Sequence, residues 1–346
     1  MPSVDLSLLK SPNSDAFTEP RPNSDSLPMS WYPVAKSNDL KKGRIKAIDL
    51  FKQQWIVYRN FSGKVCVVSR YCCHMGVDLV NGKVVADRLV CPMHLWEFNA
   101  DGACVDSPVA ESIPKSAKQA TLPCCELYGV IFVFWGKEIL FELPKYPGLI
   151  EPMTDKPHYQ LAATPYLSIM LNAFDIHHLK HVHNREVVKD PLISSEHNAH
   201  LAIDLLVRVI LKRWTDYITR LLGFKTANIR FDCWGGNLIM VSNHSAKFRV
   251  LLALAPASDT TCHVYFIGAM EQHHLTPLTR LLKRAQLYAT SFLGKEFLKL
   301  DIPIFAGMQP KAGVLLKEAD AAAVKFWQHW KRLPRREIIS NKSSIT

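Results

Sequence analysis

Short apolar runs alternate with turn residues from Trp31 to about residue 150. The runs "WIVYRN", "KVCVVS" and "KVVADRLVC" are bounded by Ser62-Gly63, Asn81-Gly82 and Asp101-Gly102. Short strands closed by two-residue turns with glycine in second place indicate antiparallel hairpins. The longest apolar run, "YGVIFVFWG" at 128–136, fits a buried strand and is too short to cross a bilayer. The pattern therefore predicts a mostly β first half and no membrane span.

The texture changes after "LPKYPGLIEP", where a helical segment over about 166–183 is predicted. Long strand-like runs follow at 200–213, 226–233, 237–245, 248–256 and 262–270. Thr276 and Pro277 are typical of the N-cap and first turn of a helix. In that helix apolar residues repeat at i, i+3 and i+4 spacing, at Leu278, Leu281, Leu282, Ala285, Ala289 and Phe292. This order predicts a curved antiparallel sheet that grips a long helix, and an α+β protein as a whole.

Length and composition indicate two globular domains with polar tails. The chain has 346 residues, of which 48% are hydrophobic and 21% charged. We expect a disordered tail over 1–28, an all-β domain over 29–150, a helix-grip domain over 151–334 and a basic, polar tail over 335–346. The first 28 residues lack the basic start and apolar block of a targeting peptide. Nine cysteines without a secreted-domain spacing favour a reducing interior, so a cytoplasmic location is predicted.

The net charge is +11, but its basic residues are dispersed and no aromatic-interleaved RNA-binding motif accompanies them. A nucleic-acid partner is therefore not expected. The plain interpretation is a solvated basic face, and the more specific one is a docking face for an acidic protein.

Cysteine and histidine alternate within two short segments. Cys72 and His74 lie in "RYCCHMGVDLV", and Cys91 and His94 lie in "LVCPMHLWEF". Two hairpin tips with these ligands can hold two irons bridged by sulfide, with both thiolates on one iron and both imidazoles on the other. Tetrahedral zinc accepts the same ligands, although zinc fingers keep their cysteines together and their histidines together. Cys73 is expected to be a core thiol outside this set.

The stretch from Cys72 to Val105 resembles the Rieske [2Fe-2S] motif of the Rieske non-haem iron oxygenases. Within that family, the segment "SWYPVAKSNDLK", the two cluster loops and the segment from Asp301 through "GMQP" to "KFWQHWKRL" are similar to the aminopyrrolnitrin oxygenase branch. Two departures leave the ligands intact: Leu95 stands where the family usually has glycine, and Met75 where it often has arginine. Val77 and Met93 lie near the places where Rieske proteins of respiratory complexes carry an extra disulfide, which this sequence therefore lacks.

Four histidines fall within "DIHHLKHVH" in the second half. A simple helix would pair His177 with His181 on one face. The family resemblance instead implies that His178 and His183 bind a mononuclear Fe(II). Because five residues span about 140° of an α-helix, the helix must bulge or end between these two ligands.

The resemblance also implies a carboxylate ligand far along the chain. Asp301 in "LKLDIPIFAGMQP" matches the family's third ligand, with Gln309 further along. Glu296 is close enough in sequence to compete. Pro303 is expected to break the helix near this point.

Two further residues are assigned by resemblance. Asp175 is similar to the family's bridging aspartate, which accepts hydrogen bonds from an iron histidine and from a cluster histidine of a neighbouring subunit. The implied contact is with His94 of that neighbour, and a homotrimer follows. Asn172, three residues earlier, is expected beside the iron ligands.

The resulting functional hypothesis is a Rieske-type oxygenase that uses O2 and external electrons to hydroxylate, N-oxygenate, demethylate or desaturate a hydrophobic small molecule. The sequence contains no dinucleotide-binding glycine fingerprint and no plant-type ferredoxin cysteine run. An acidic ferredoxin or a flavin reductase using NAD(P)H is therefore the expected electron donor. Two alternatives remain: an electron-transfer protein without oxygenase turnover, and a membrane-tethered relative, for which "KRLPRREIISNKSSIT" offers no apolar anchor.

Overall fold

The computed structural model describes residues 26–108, 112–221, 225–244, 247–272, 275–308 and 320–338. Gln309, His273, His274 and most of the two predicted tails lie outside these ranges. None of the helices within them is long and apolar enough to cross a bilayer.

The first half is built from short antiparallel strands, as the sequence predicts. They are β1 (Ser26–Pro28), β2 (Trp31–Lys36), β3 (Ile45–Leu50), β4 (Gln53–Arg59), β5 (Val65–Ser69), β6 (Lys83–Val85), β7 (Arg88–Val90), β8 (Glu97–Phe98), β9 (Cys104–Asp106), β10 (Cys124–Leu127) and β11 (Val130–Phe134). The sheets run in the orders β10-β11-β2, β3-β4-β5 and β6-β7-β8-β9. All five residues of β11 are buried, which confirms the buried strand predicted over 128–136.

Within the described residues, the second half contains one large antiparallel sheet, five α-helices and a short last strand that pairs with β1. Its elements are β12 (Pro152–Thr154), β13 (His158–Ala162), α1 (Tyr166–Asn172), α2 (Ile176–His181), β14 (Arg185–Val187), β15 (Leu192–Ser194), β16 (His200–Val209), α3 (Trp214–Leu221), β17 (Thr226–Trp234), β18 (Leu238–Asn243), β19 (Phe248–Pro256), β20 (Cys262–Glu271), α4 (Pro277–Phe305), α5 (Ala321–Arg332) and β21 (Arg335–Glu337). The strand order is β12-β20-β19-β18-β17-β16-β14, with β13 paired to β20 and β15 to β16. The α+β prediction is confirmed.

The long helix α4 begins where the sequence predicts. The Thr276 side chain accepts a hydrogen bond from the Thr279 amide, and Pro277 occupies the first turn. The expected break at Pro303 is wrong, because α4 continues to Phe305. Pro303 lies two residues from the helix end, so the helix loses only one backbone hydrogen bond there. The carbonyls of the last turn nearby have no helical partner in any case, and the cost of the proline is therefore small.

The predicted single helix over 166–183 is divided into α1 and α2. Asp175 is the N-cap of α2, and its Oδ1 accepts from the backbone amides of His177 and His178 at 3.1 and 3.0 Å. The helix ends at His181, so His183 lies beyond its last turn. This confirms the expectation that the helix ends between residues 178 and 183.

The inner ends of both predicted tails are ordered. Ser26–Pro28 pairs antiparallel with Arg335–Glu337, so the two segments that contain the expected boundaries lie side by side. Two interactions stabilise the pairing. Leu27 is buried, with only 2% of its surface exposed, and the Arg335 guanidinium lies 4.0 Å from the centre of the Trp330 ring.

The two loops that carry Cys72 and Cys91 share one backbone pattern. Each cysteine amide donates to the carbonyl five residues on, at 2.8 Å and 2.9 Å, and each cysteine carbonyl accepts from the amide four residues on. That fourth residue has a positive φ in both loops, +71° at Gly76 and +56° at Leu95. Left-handed backbone suits glycine and strains a residue with a Cβ. The second loop therefore holds its shape at a conformational cost.

Leu95→Gly is expected to raise the free energy of unfolding by about 1 kcal/mol, because it removes the left-handed strain while Leu95 buries little surface. Urea unfolding followed by circular dichroism measures the change. Leu95→Ala is the matched control, since it shortens the side chain but keeps the Cβ. A midpoint that shifts equally in both variants would show that the side chain, and not the backbone, sets the effect.

Candidate metal centres and an apolar cavity

The loop tips bring the predicted cluster residues together. Cys72 and Cys91 are 4% and 1% exposed, and their thiols contact each other. The rings of His74 and His94 are 4.8 Å apart on the outer side, where His74 also stacks on Trp96 at 4.3 Å. The thiols thus form an inner pair and the imidazoles an outer pair.

This separation fits a two-iron cluster. Two thiols on one side and two imidazoles on the other match one iron ligated by sulfur and one ligated by nitrogen. Burial raises the pKa of the Cys72 thiol to about 12, so the thiolate required for ligation forms as the metal binds. Cys73 is exposed, so the expectation of a core thiol at that position is wrong.

A second constellation lies where the end of α2 meets α4. His178, His183 and Asp301 offer ligand atoms that all lie within 4.8 Å of one another. Nε2 of His178 is 3.1 Å from Nε2 of His183, and Oδ1 of Asp301 lies 2.9 and 2.8 Å from these two nitrogens. Ligand atoms at adjacent corners of an octahedron stand roughly 3 Å apart when metal–ligand bonds are roughly 2.1 Å long. The three atoms therefore fit one face of an octahedral metal ion.

The electrostatics of this site favour a cation. Burial opposes ionisation of Asp301, but hydrogen bonds from His178 and His183 outweigh it and lower the pKa of the carboxyl. His183 is 3% exposed, and its Nδ1 has no hydrogen-bond partner among the residues that the structure describes. Buried imidazoles that approach head to head beside one carboxylate are stabilised when a metal takes their lone pairs.

Two phenylalanines on α4 hold the histidine rings. Phe297 stacks on His183 with centroids 4.1 Å apart, and Phe305 stacks on His178 at 5.7 Å. Both lie four residues from Asp301, so one stripe of α4 presents ring, carboxylate and ring in turn. The sequence analysis missed these two residues, although their spacing around Asp301 was a usable signal.

A buried ion pair fixes the turn that follows His183. The Arg185 guanidinium donates to Oδ1 of Asp216 at 2.7 Å and to the His183 carbonyl at 2.9 Å. Asp216 also accepts from the Asn184 side chain, whose residue has a φ of +55°. Because Asp216 is 2% exposed, it ties α3 firmly to the loop that carries the second histidine. Nothing in the spacing of the sequence points to this pair.

The other predicted residues are placed as follows. Nδ2 of Asn172 lies 3.5 Å from Oδ2 of Asp301, beside the three ligand atoms. Nζ of Lys299 donates a hydrogen bond to Oε1 of Glu296 at 2.6 Å, and Glu296 does not belong to the group of three ligand atoms. The geometry therefore favours Asp301 over Glu296 as the carboxylate ligand. His177 and His181 are exposed.

An apolar cavity of about 300 Å³ opens beside His183 and Asp301. Its walls come from the concave face of β16 to β20 and from α4, with residues such as Phe231, Ile239 and Leu252. Arg185 lines it too, but Asp216 neutralises that charge. Such a cavity suits a neutral, apolar small molecule placed against the three ligand atoms.

Known proteins match this chain in two ways, over the first half alone and over nearly the whole length. A Rieske [2Fe-2S] domain model matches residues 30–123. The chain is 25% identical over 340 residues to aminopyrrolnitrin oxygenase PrnD of Pseudomonas fluorescens, covering 88% of this chain and 91% of that protein. It is 38% identical over 167 residues to cholesterol 7-desaturase nvd of Xenopus laevis, covering 45% of this chain. The matched stretch spans only 36% of the length of that desaturase, and 38% for the corresponding desaturase of Ciona intestinalis.

Solved structures share the fold at lower identity. Dicamba monooxygenase bound to dicamba superposes with a TM-score of 0.63 and 17% identity, covering 88% of this chain and 96% of that one. NdmA of Pseudomonas putida CBB5 gives a TM-score of 0.62 and 18% identity, covering 91% and 98%. The first half of this chain therefore contains a Rieske [2Fe-2S] domain, and the chain as a whole is similar to an aminopyrrolnitrin oxygenase and shares the fold of dicamba monooxygenase.

Proposed function

We propose that this protein is a Rieske-type oxygenase that oxidises a neutral, hydrophobic small molecule with O2 and externally supplied electrons. The observation that carries the proposal is the convergence of His178, His183 and Asp301 at the wall of an apolar cavity. A protein that only transferred electrons would need neither the second constellation nor the cavity. The relatives named above include oxygenases and desaturases, which supports the same reaction class.

In this proposal Cys72 and Cys91 hold one cluster iron, and His74 and His94 hold the other. His178, His183 and Asp301 hold the mononuclear iron on one face, as in a 2-His-1-carboxylate site. When bound, the cluster supplies single electrons and the mononuclear iron supplies the activation of O2.

The residues around the iron ligands orient the site and keep it dry. Phe297 and Phe305 restrict rotation of the two imidazoles through stacking. Asn172 donates towards Asp301 and orients its second oxygen. The apolar walls limit water beside the reacting atoms and hold the substrate by burial.

The cavity supports a substrate without a formal charge. Among the described residues that line it, Arg185 is the one strongly basic side chain, and it is already paired with Asp216, so none of them offers a free cation to a carboxylate. Aliphatic and aromatic side chains make up most of the remaining lining. Hydroxylation, N-oxygenation, demethylation and desaturation of such a molecule all start from this arrangement.

His183→Ala and Asp301→Ala are expected to lose the mononuclear iron and to retain the cluster's iron and acid-labile sulfide, because the two constellations share no residue. Iron and sulfide analysis after anaerobic purification measures this. Glu296→Ala is the matched control on the same helix and should keep the full iron content. Loss of iron from Glu296→Ala but not from Asp301→Ala would refute the ligand assignment.

We propose a homotrimer in which Asp175 accepts a hydrogen bond from His94 of the neighbouring subunit. Asp175 supports this role because it is only half-buried and caps the helix that carries His178. An acid in that place fixes the imidazoles at both ends and gives electrons a short bonded route.

Asp175→Asn is expected to slow substrate-dependent oxidation of the pre-reduced cluster by about tenfold or more. Asparagine is an equally good N-cap, so α2 should stay intact and the iron content unchanged. Stopped-flow absorption measures the rate. His181→Ala, at an exposed position on the same helix, should leave the rate unaltered. An unchanged rate for Asp175→Asn would remove the bridging role.

We propose an acidic ferredoxin or a flavin reductase using NAD(P)H as the electron donor. The support is the net charge of +11, which speeds encounter with an acidic protein. The rate of cluster reduction by such a donor is expected to fall steeply as salt rises from about 0.1 M to about 1 M. A rate independent of ionic strength would contradict electrostatic docking.

A further inference from the structure

Helix α3 turns its apolar face outwards. Trp214, Tyr217 and Leu221 are 59%, 58% and 87% exposed, and with Ile218 they occupy positions i, i+3, i+4 and i+7 of one face. Globular proteins normally bury such a stripe. The opposite side of α3 carries Asp216, which is bonded to Arg185 and Asn184, so the helix is held in this orientation.

The first turns of α4 show the same feature. Leu278, Leu281 and Leu282 are 68%, 66% and 62% exposed. The apolar spacing of these residues predicts a buried helix face, but in the first turns of α4 this face is exposed to solvent. Leu287, further along the helix, is buried.

Both patches lie at one end of the large sheet. The strand register places Arg208 opposite Thr226, Asn243 opposite Phe248, and Phe248 opposite Met270, so α3 and α4 both start beyond that end. β16 and β20 are four strand spacings apart, so the strand ends from which the two patches start lie roughly 19 Å apart along the sheet. We call the exposed residues of 212–221 and Lys225, which lie in and beside α3, together with the exposed residues of the first turns of α4, the rim.

The apolar cavity reaches the same end of the sheet. Val209, Ala227, Asn243 and Phe248 all line it, and each is at or next to the end of its strand. The rim therefore flanks the side on which a substrate would approach His183 and Asp301.

The rim is strongly basic. Residues 210–225 contain Lys212, Arg213, Arg220 and Lys225, and their single acid, Asp216, is buried in an ion pair. On α4, Arg280, Lys283 and Arg284 interleave with the exposed leucines, and the first acid in that helix is Glu296. At the end of β20, the Glu271 carboxylate accepts hydrogen bonds from the backbone amides of Ile150 and Glu151, so this acid is already engaged. Within the part of the chain that the structure describes, these basic side chains form no ion pair, and exposed apolar side chains among them are complementary to an anionic lipid surface.

We propose that the rim docks this protein on an anionic lipid surface, from which a neutral, lipid-dissolved substrate enters the cavity. The docking stands without the proposed reaction, whereas the entry of substrate rests on the proposed function. Two patches separated by four strands can touch one flat surface together. The neutral, apolar cavity fits molecules that partition into lipid rather than water.

The rim of a second copy is a poor occupant of the same face. A two-fold contact would bring the basic residues of one rim against those of the other, and like charges repel. The proposed homotrimer contact is heterologous and is assigned to Asp175 and His94, which are not rim residues. An anionic lipid layer supplies both the negative charge and the apolar depth.

The test is sedimentation of the full, iron-loaded chain with vesicles, without substrate, reductant or O2. Wild type is expected to sediment with vesicles of phosphatidylcholine and phosphatidylserine in equal parts, and much less with phosphatidylcholine alone. Binding should weaken when salt rises from about 0.1 M to about 1 M.

Two variants separate the apolar and basic contributions. The triple variant Trp214→Ser, Tyr217→Ser, Leu221→Ser and the triple variant Lys212→Glu, Arg220→Glu, Lys225→Glu are each expected to lower the partition coefficient by about tenfold or more. The matched control replaces Ile139, Leu161 and Leu192 by serine; these are 51%, 55% and 62% exposed away from the rim, and binding should be unchanged.

Three outcomes would overturn the proposal: wild type that remains in the supernatant, rim variants that sediment like wild type, or an altered oligomeric state of the apolar variant in sedimentation velocity. The last would show that the rim is an interface between copies. Because iron content is measured on the same samples, failure of the metal centre is distinguished from failure of lipid docking.

Discussion

A carboxylate buried between two imidazoles is the interaction on which the functional half of this protein depends. Asp301 is 6% exposed, and an isolated charge at that depth would cost several kcal/mol. Hydrogen bonds from His178 and His183 offset this cost and keep its pKa low. The same three atoms that compensate one another match a single octahedral face. The two imidazoles therefore compensate the charge of the carboxylate in the same geometry that a metal ion requires.

Local breaks in regular structure create that geometry. α2 begins at the Asp175 cap and ends at His181, so His178 and His183 approach from a helix and from the turn beyond it. The Asp216–Arg185 pair fixes the turn from outside, and Phe297 and Phe305 fix the rings from α4. Because α4 continues unbroken past Pro303, carboxylate and rings stand on one rigid stripe. Rigid support of this kind keeps ligand atoms within a few tenths of an ångström of a productive arrangement.

The apolar cavity and the rim belong to the same architecture. A sheet that closes around one helix leaves its concave face apolar, and the space between them becomes a binding cavity that ends where the strands end. The connection between β16 and β17 carries α3 at that edge, anchored inwards by its only acid. The outward apolar stripe adds nothing to the core, and for that reason it indicates a partner surface.

Local patterns in the amino-acid sequence were enough to predict most of the elements and the ligand chemistry of the first site. Alternating runs and glycine turns specify the β hairpins, Thr276-Pro277 specifies the start of α4, and Cys72, His74, Cys91 and His94 lie close enough in sequence for two loops to present them. Such signals are local, so a single chain reveals them. Once the family resemblance implies His178 and His183 as ligands, the pitch of a helix also requires a bulge or an end between them. Contacts between segments that are distant in sequence could be seen only in the folded protein. Asp301 and not Glu296 joins the histidines, Arg185 pairs with Asp216, and the leucines in the first turns of α4 face outwards. Those outcomes are set by the crossing of α4 over the sheet, and spacing along one chain does not encode the contacts between elements that meet only in the folded state.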